Sequence, residues 1–296
     1  MKTNITYWLA LKCLFISFLI NAQTYSVFES DSLFKNKKFE AAATSYERVF
    51  FFTKDNSERV YALIKRAECL KSLSKFYEAY KSLVRINNYD INDSLRCYSN
   101  YQLALNLYLS GFYNDAERYC AKNYSIPINS KEYKSSVFLH GIIYNELTEY
   151  KKAQLKFKEY NSLVLNSPSS LDSVNSFIDH YYSQKNLPKL KSLKKARKLS
   201  SVIPGAGLFY AGKPGKALAN IGFQLFAVGY TGANVYFQNY VTAATAGLFM
   251  IRAFYTGGIN QLNEIIPANN SKKSGNFNST FKLKYLQKLQ DYEAKI

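Results

Sequence analysis

The largest cluster of charged side chains in the sequence is basic, and acidic residues are missing around it. Residues 185–198 hold seven Lys and Arg in fourteen positions, and no Asp or Glu occurs between Asp179 and Glu264. Such a cluster neutralises the phosphates of a nucleic acid, contacts anionic lipid headgroups, or forms a solvated helix face. The side chains that would contact lipid headgroups are Lys191, Lys194, Lys195, Arg197 and Lys198.

Residues suited to catalysis or to metal binding are scarce. The sequence has two histidines, His140 and His180, and no Cys-x-x-Cys pair. The three cysteines beyond residue 22 are widely spaced, which is unlike a disulfide framework and favours core positions. No Ser-His-Asp set and no paired-carboxylate motif can be assembled by spacing. We therefore expect a protein that is not an enzyme and that needs neither a metal nor a small-molecule cofactor.

A glycine-rich segment follows the basic cluster. Residues 204–215 read Pro-Gly-Ala-Gly-Leu-Phe-Tyr-Ala-Gly-Lys-Pro-Gly. Proline and glycine at this density prevent an unbroken helix, so the backbone must turn here. The segment lacks the Gly-Lys-Ser/Thr ending of a phosphate-binding P-loop, because Lys213 is followed by Pro214. We therefore reject nucleotide binding.

An uncharged segment comes next and predicts a hydrophobic helical hairpin. Residues 217–251 contain no charged side chain. Residues 217–237 would extend about 32 Å as a helix, which matches a bilayer core of about 30 Å. A polar break at residues 238–240 separates them from a second apolar run that ends near Gly258. The segment therefore predicts a hairpin of two membrane helices.

Small residues recur in both helices of this hairpin, as they do in closely packed membrane helices. They are Gly222, Gly229, Gly232 and Ala233 in the first helix, and Ala243, Ala244, Ala246 and Gly247 in the second. Several amides and threonines keep the hydrophobicity moderate, and the alternative is a buried pair of helices in a water-soluble domain. A basic cluster beside an apolar hairpin favours contact with lipid headgroups, and we expect no nucleic-acid partner.

The N-terminal half of the chain has an internal repeat of 37 residues. In each of four copies, an aromatic residue is followed by an alanine three positions later and by a bulky residue or a cysteine four positions after that. These positions are Phe39, Ala42 and Tyr46; Phe76, Ala79 and Leu83; Tyr113, Ala116 and Cys120; and Tyr150, Ala153 and Phe157. The spacings place each set on one helix face, where the alanine admits a neighbouring helix closely.

The turn between the helices of each repeat resembles a known family. Residues 109–116, Leu-Ser-Gly-Phe-Tyr-Asn-Asp-Ala, resemble the turn of the tetratricopeptide repeat, and the other copies place Lys37, Ser74 and Thr148 at the glycine position. The resemblance covers about residues 25–163, although the usual period is about 34 residues. It implies an α-solenoid that binds a protein or peptide on its concave face. The alternative is a spacer that positions the C-terminal half.

Both ends of the repeat region carry further signals. Residues 1–22 combine a basic start, a short apolar run and a small residue at the end, which predicts a signal peptide cleaved after Ala22. A retained N-terminal anchor is the alternative. At the other end, an amphipathic stripe of four residues predicts a capping helix. Its members are Leu171, Val174, Ile178 and Tyr181.

The glycine-rich segment gives a second resemblance. Its string P-G-x-G-x-x-Y-x-G and the later Phe-Tyr-Thr-Gly-Gly-Ile-Asn resemble the opening and closing segments of small two-helix membrane domains of bacterial proteins. The matching residues are Pro204, Gly205, Gly207, Tyr210, Gly212, Tyr255, Gly257, Gly258 and Asn260. The resemblance covers about residues 196–265 and departs at Leu208, where those domains often have Gln. It implies membrane association without an established activity.

These features predict an all-α chain: a tetratricopeptide-like α-solenoid of about four helical-hairpin repeats with a capping helix, followed by a hydrophobic helical hairpin. The segments are a signal peptide at 1–22, repeats at 23–165, a capping helix and basic hinge at 166–198, the glycine-rich hairpin at 199–266, and a polar linker with an amphipathic helix at 267–296. The apolar stripe of that last helix suits a membrane surface or the protein's own flank. It comprises Phe281, Tyr285, Leu289, Tyr292 and Ile296.

We expect an exported protein-binding scaffold that is anchored at a membrane of the cell envelope, with its repeats in the periplasm. The alternatives are a structural subunit or assembly factor of an envelope membrane complex, and a soluble secreted binding protein. Topology leaves one conflict open. An export signal followed by two spans would place the basic hinge on the outer side, against the positive-inside tendency. The hairpin is then interfacial or shallow, or the signal is not cleaved.

Overall fold

The computed structural model describes residues 26–87, 91–125 and 130–293, and the predicted signal peptide lies outside them. The described residues form fourteen α-helices and no strand, which confirms the all-α prediction. The first nine are α1 Val27–Lys35, α2 Phe39–Phe52, α3 Asn56–Ser72, α4 Phe76–Leu83, α5 Asp93–Leu109, α6 Tyr113–Lys122, α7 Lys131–Glu146, α8 Tyr150–Val164 and α9 Pro168–Tyr181. The others are α10 Leu193–Val202, α11 Ala206–Ala211, α12 Pro214–Tyr236, α13 Tyr240–Thr242 and α14 Leu248–Glu293.

The helices fall into two compact units. The first unit comprises the residues up to 147 together with residues 155–164. The second unit comprises residues 148–154 and the residues from 165 onward. Within the first unit each helix from α1 to α6 packs against the next one along the chain. Its packing is therefore mostly between sequence neighbours.

The first helix of each predicted pair begins at a side-chain cap. Ser26, Asp55, Asn92 and Ser130 are the N-cap residues of α1, α3, α5 and α7, and each accepts a hydrogen bond from a backbone N–H of the first helical turn. Such caps satisfy N–H groups that have no partner inside the helix, and each stabilises a helix by about 1 kcal/mol.

The four turns inside the pairs share one backbone conformation. Lys37, Ser74, Gly111 and Thr148 all have positive φ, between 57° and 81°, and lie 37 residues apart. At the first three turns the N–H of the following residue closes the helix end, as in the bond from Phe112 to the carbonyl of Leu107 at 2.9 Å. A left-handed residue that ends a helix in this way is a common C-terminal cap. The sequence period is thus also a period of backbone geometry.

The residues predicted to pack the repeats occupy the interior. The four alanines of the pattern are fully buried, and so are Tyr46, Cys120 and Phe157. The leading aromatics Phe39, Phe76 and Tyr113 are half-buried. In the fourth copy the ring of Phe157 fills the space beside Gly141 of α7, where an added Cβ would lie 3.0 Å from it. The alanine and glycine positions therefore allow close helix packing.

The second unit is built around a hairpin formed by α12 and α14. Between them lie α13 and a π-helical turn at Ala243–Gly247. The base of the hairpin packs against α10 and α11 in a small apolar core. That core contains Ala196, Leu208, Ala211, Ala217, Leu262 and Ile266.

Helix α14 is longer than the sequence indicates. It continues through Pro267, so the predicted polar linker at the start of segment 267–296 is helical instead. Its distal part packs against α9, where the fully buried ring of Phe281 lies 5.2 Å from the ring of Tyr181. Tyr285 is fully buried too. These two members of the C-terminal stripe therefore contact the protein's own flank.

None of the helices in the described residues is both long enough and apolar enough to cross a membrane. This finding includes α12, which covers most of the segment predicted to span a bilayer, residues 217–237. Helix α12 has the required length, but Asn220, Gln224 and its glycines lower its mean hydropathy.

Candidate functional site

The two helices of the hairpin contact each other through polar side chains. The Nδ2 of Asn220 donates to the carbonyl oxygen of Phe254 at 3.0 Å, and the Nε2 of Gln224 donates to that of Ile251 at 3.2 Å. Both amide side chains are buried. Hydrogen bonds therefore join α12 to α14 along the inside of the hairpin.

Two glycines bring the helices close enough for these bonds. An added Cβ at Gly258 would lie 2.7 Å from the Nδ2 of Asn220, and one at Gly247 would lie 3.0 Å from the Cβ of Thr231. By contrast, the three glycines of α12 that were expected at the helix contact are exposed, and nothing lies within 4 Å of an added Cβ. They are Gly222, Gly229 and Gly232. These three glycines lie on the face of α12 that points away from α14, so they do not take part in the helix contact.

Large apolar side chains cover the outside of the hairpin and its tip. Twelve of them are each at least 49% exposed. They are Leu218, Phe223, Leu225, Phe226, Val228, Val235, Tyr236, Phe237, Tyr240, Val241, Leu248 and Phe249. The polarity of this hairpin is thus inverted: its amides face inward and its apolar side chains face outward.

The sequence contains a signal for this inversion that the search for apolar runs missed. Ala217, Asn220, Gln224, Ala227 and Thr231 follow one another at spacings of three and four. Such spacings define one face of a helix. A small and polar stripe on an otherwise apolar helix marks the face that contacts another protein element.

The basic cluster forms the exposed face of α10 at the base of the hairpin. Lys194, Lys195 and Lys198 are exposed, while Ala196 of the same helix is buried. Arg197 is engaged, because its guanidinium donates twice to the Oδ1 of Asn263, at 2.6 and 3.0 Å. Four of the five predicted headgroup contacts are therefore exposed on α10, and one of these, Arg197, is hydrogen-bonded to Asn263.

The remaining predicted headgroup contact, Lys191, lies against Tyr210 of the glycine motif. The Nζ of Lys191 is 5.7 Å from the Tyr210 ring centroid, and that of Lys195 is 5.5 Å away. The Tyr210 hydroxyl accepts a hydrogen bond from the backbone N–H of Ser192 at 3.1 Å. The motif tyrosine thus joins the basic segment to α11.

At three positions of the opening motif the structure explains why the residue is glycine. Gly205 and Gly212 adopt φ of +85° and +82°, a left-handed conformation that favours glycine. Gly207 is buried against α10, and its N–H donates to the Oγ of Ser200 at 3.0 Å. An added Cβ at Gly207 would overlap the carbonyl oxygen of Ala196. The motif therefore allows a tight crossing of α10 and α11.

The other motif positions are distributed around this crossing and along α14. Pro204 is half-buried in the turn before α11. On α14, Tyr255 is half-buried, Asn260 is exposed, and Gly257 has open space where a Cβ would be. Of the closing segment, only Gly258 makes a contact that needs glycine.

The first unit has its own candidate surface, a groove between α2, α3 and α4 with a volume of about 710 Å³. The carboxylate of Glu47 binds Arg66 and Arg85, each at 2.8 Å. Phe51 and Phe52 at one side of the groove are 66% and 69% exposed. Exposed aromatic rings beside charged groups suit the binding of a peptide.

Hydrogen bonds from tyrosine hydroxyls to carboxylates recur along the first unit. Tyr61 donates to Asp31 at 3.0 Å, Tyr98 to Glu68 at 3.2 Å, and Tyr133 to Glu159 at 3.2 Å. Burial raises the pKa of Tyr61 to about 12, so its hydroxyl stays protonated and donates. The first two bonds join successive helix pairs, and the third joins the two helices of the fourth pair.

His140 is buried and lies in a polar cluster of the first unit. Its Nδ1 is 2.6 Å from the Tyr124 hydroxyl, and its Nε2 is 3.3 Å from the Glu117 carboxylate. Burial lowers the pKa of His140 to about 4 and raises that of Tyr124. A neutral, stacked histidine beside a protonated tyrosine has a packing role.

Within the described residues no group of three or more His, Cys, Asp or Glu could hold a metal ion. The three described cysteines are buried, and burial raises the pKa of Cys69 to about 11. Comparison of the chain with protein-family models, with curated proteins and with solved structures gives no match.

Proposed function

We propose that this protein is a non-enzymatic scaffold that binds other proteins through its helical repeats and is held at a membrane by its α12–α14 hairpin. The observation that carries the proposal is the inverted polarity of the hairpin. A helix pair in water buries its apolar faces, whereas this pair buries the amides of Asn220 and Gln224 and exposes twelve large apolar side chains. Buried amides and exposed apolar side chains suit a helix pair that is surrounded by lipid.

Lipid explains both halves of the arrangement. Removing apolar surface from water gains about 25 cal/mol per Å², which favours insertion of the outer faces. Inside lipid the apolar faces no longer drive helices together, and small residues and hydrogen bonds take over that role. Gly258 and Asn220 provide both at one contact.

The proposed insertion is shallow, with the tip of the hairpin among the acyl chains and its base at the headgroups. Aromatic residues Tyr236, Phe237 and Tyr240 lie at the tip. The exposed lysines of α10 lie at the base, and each lysine near an anionic surface contributes about 1 kcal/mol. A hairpin that enters and leaves by one side also removes the topology conflict, because no charged segment has to cross the bilayer.

Flotation of the purified chain with anionic vesicles tests this proposal. The double variant Phe226→Asp/Phe249→Asp places charges on the outer faces of α12 and α14, where both rings are more than 60% exposed. It should stay folded and lose vesicle binding. The matched control is Leu155→Asp, which changes a side chain that is 62% exposed on α8. Vesicle binding that survives in the double variant would refute insertion of the hairpin.

For the repeat region, we propose a tetratricopeptide-type solenoid that binds a peptide segment of another protein. Its support is the left-handed turn at four positions 37 residues apart and the packing of each helix from α1 to α6 on the next. The groove beside Phe51 and Phe52 offers aromatic surface and paired charges to such a segment.

A structural subunit or assembly factor of an envelope complex is the second candidate, because the exposed hairpin also suits docking on another membrane protein. A photo-crosslinking amino acid at Phe226 separates the two in intact cells. Adducts to lipid alone support the scaffold, provided that the same group at Phe51 captures protein. One stoichiometric protein adduct at Phe226 supports the structural subunit.

A further inference from the structure

Four lysines from three distant parts of the sequence surround one cavity in the second unit. Lys191 precedes α10, Lys213 is the N-cap residue of α12, and Lys272 and Lys273 lie on α14. The cavity has a volume of about 380 Å³. Only Lys191 of this set belongs to the basic cluster of the sequence, so the structure adds three lysines that sequence spacing does not connect.

The fold holds the walls of this cavity in place. The side chain of Asn270 binds the backbone of Lys191 twice: its Oδ1 accepts from the N–H at 2.9 Å, and its Nδ2 donates to the carbonyl at 2.8 Å. Lys273 donates from Nζ to the carbonyl of Lys189 at 3.1 Å. Gly212 completes the wall in a left-handed conformation, and an added Cβ there would lie 3.2 Å from the Nζ of Lys191.

The electrostatics of the cavity are one-sided. Among the described residues that line it there is no Asp or Glu, and none of the four lysines forms an ion pair in the described chain. The other polar lining groups are the amides of Asn269, Asn270 and Asn276. Lysine ammonium groups gathered without a counter-charge favour an anion between them. The asparagine amides add neutral hydrogen-bond donors.

We propose that this cavity binds a phosphomonoester dianion. A phosphomonoester carries about −2 charge at neutral pH and three strong acceptor oxygens, and so can use several ammonium and amide donors at once. A phosphodiester has a single charge and fewer free oxygens, so it fits this donor set less well. The group comes either from a lipid headgroup of the phosphatidic acid type or from phosphate in solution. The lipid source rests on the membrane attachment proposed above.

Vesicle binding by the full chain tests the lipid source. The vesicles contain phosphatidylcholine with either phosphatidic acid or phosphatidylglycerol, adjusted to equal zeta potential. The wild type should prefer phosphatidic acid by about tenfold or more, the effect of one charge-assisted hydrogen bond. The variant Lys213→Gln/Lys272→Gln should lose that preference and still bind phosphatidylglycerol. The matched control Lys194→Gln/Lys198→Gln removes two exposed charges of α10 and should weaken binding to both vesicles while keeping the preference.

Titration calorimetry with inorganic phosphate tests the other source. Phosphate that binds the wild type and not Lys213→Gln/Lys272→Gln supports the cavity site. If that result comes with no binding of vesicles, the membrane attachment is refuted and the cavity site still stands. Two results would overturn the cavity site itself. One is an equal loss of binding to both vesicle types in the cavity variant and in the control. The other is the absence of any preference for phosphatidic acid together with no binding of inorganic phosphate.

Discussion

Substitution of Gly207 by alanine is the sharpest test of how α10 and α11 cross. An added Cβ would overlap the carbonyl oxygen of Ala196 and would lie 2.5 Å from the Oγ of Ser200 and 2.8 Å from the Cδ1 of Leu262. The carbonyl belongs to the backbone of α10, so it cannot rotate away, and the helices must separate. Overpacking of this kind costs about 1–3 kcal/mol. Separation also weakens the hydrogen bond from Gly207 to Ser200, which contributes about 1 kcal/mol.

We therefore expect Gly207→Ala to lower the free energy of opening of α10 and α11 by about 3 kcal/mol. Hydrogen exchange of peptides from these two helices, measured in detergent micelles, gives that free energy directly. Gly222→Ala is the matched control, since nothing lies within 4 Å of its added Cβ. In the middle of α12 it should stabilise the chain by about 0.5–1 kcal/mol. Unchanged protection of α10 and α11 in Gly207→Ala, or destabilisation of similar size by both changes, would refute this account of the crossing.

Four further substitutions test three other parts of the structure. At the left-handed turns, Thr148→Gly should raise the free energy of unfolding by about 1 kcal/mol and Gly111→Ala should lower it by a similar amount, as measured by urea unfolding. For His140, burial lowers the pKa to about 4, so between pH 6.5 and 4 the unfolded chain takes up a proton that the folded chain does not. Stability should then fall as the pH drops through this window, by up to about 3 kcal/mol, and His140→Gln should flatten that part of the pH profile. Phe281→Ala should cost about 4 kcal/mol because the ring is fully buried, and it should leave vesicle flotation unchanged.

The helices of the N-terminal half were predictable because their determinants are local. The alanines of the pattern, such as Ala42 and Ala79, mark buried positions through spacing alone, and they are fully buried in the structure. The turn residues Lys37 and Ser74 were placed by their register with Gly111, and all three adopt positive φ. A repeated sequence supplies four independent samples of the same local rule.

The long helix α14 was not predictable, because its local composition opposes the result. Between Pro267 and Asn278 the chain has four asparagines, two serines and a glycine, which have weak or unfavourable helix propensity, and the proline itself disfavours a helix interior. Packing overrides that preference on both sides. Ile266 is buried in the core at the base of the hairpin, Asn270 binds the backbone of Lys191, and Phe281 is buried against α9.

The candidate sites also divide into features that are local in sequence and features that depend on tertiary contacts. An uncharged segment and a basic cluster are continuous in sequence, so both could be found by composition. The inward amides of the hairpin depend on which face of α12 meets α14, and the cavity lysines depend on contacts between α14 and the segments around Lys191 and Lys213. Lys272 has no neighbour in sequence that indicates such a contact.

Helix α14 has a mechanical consequence for the second unit. It is 46 residues long, which corresponds to about 69 Å at 1.5 Å per residue. Its first part packs against α12, its middle against α10 and α11, and its last part against α9. In the membrane-attached state proposed above, a force on the tip of the hairpin, such as lateral pressure from a thinning or bending bilayer, would therefore be carried by this one helix to the aromatic packing around Phe281.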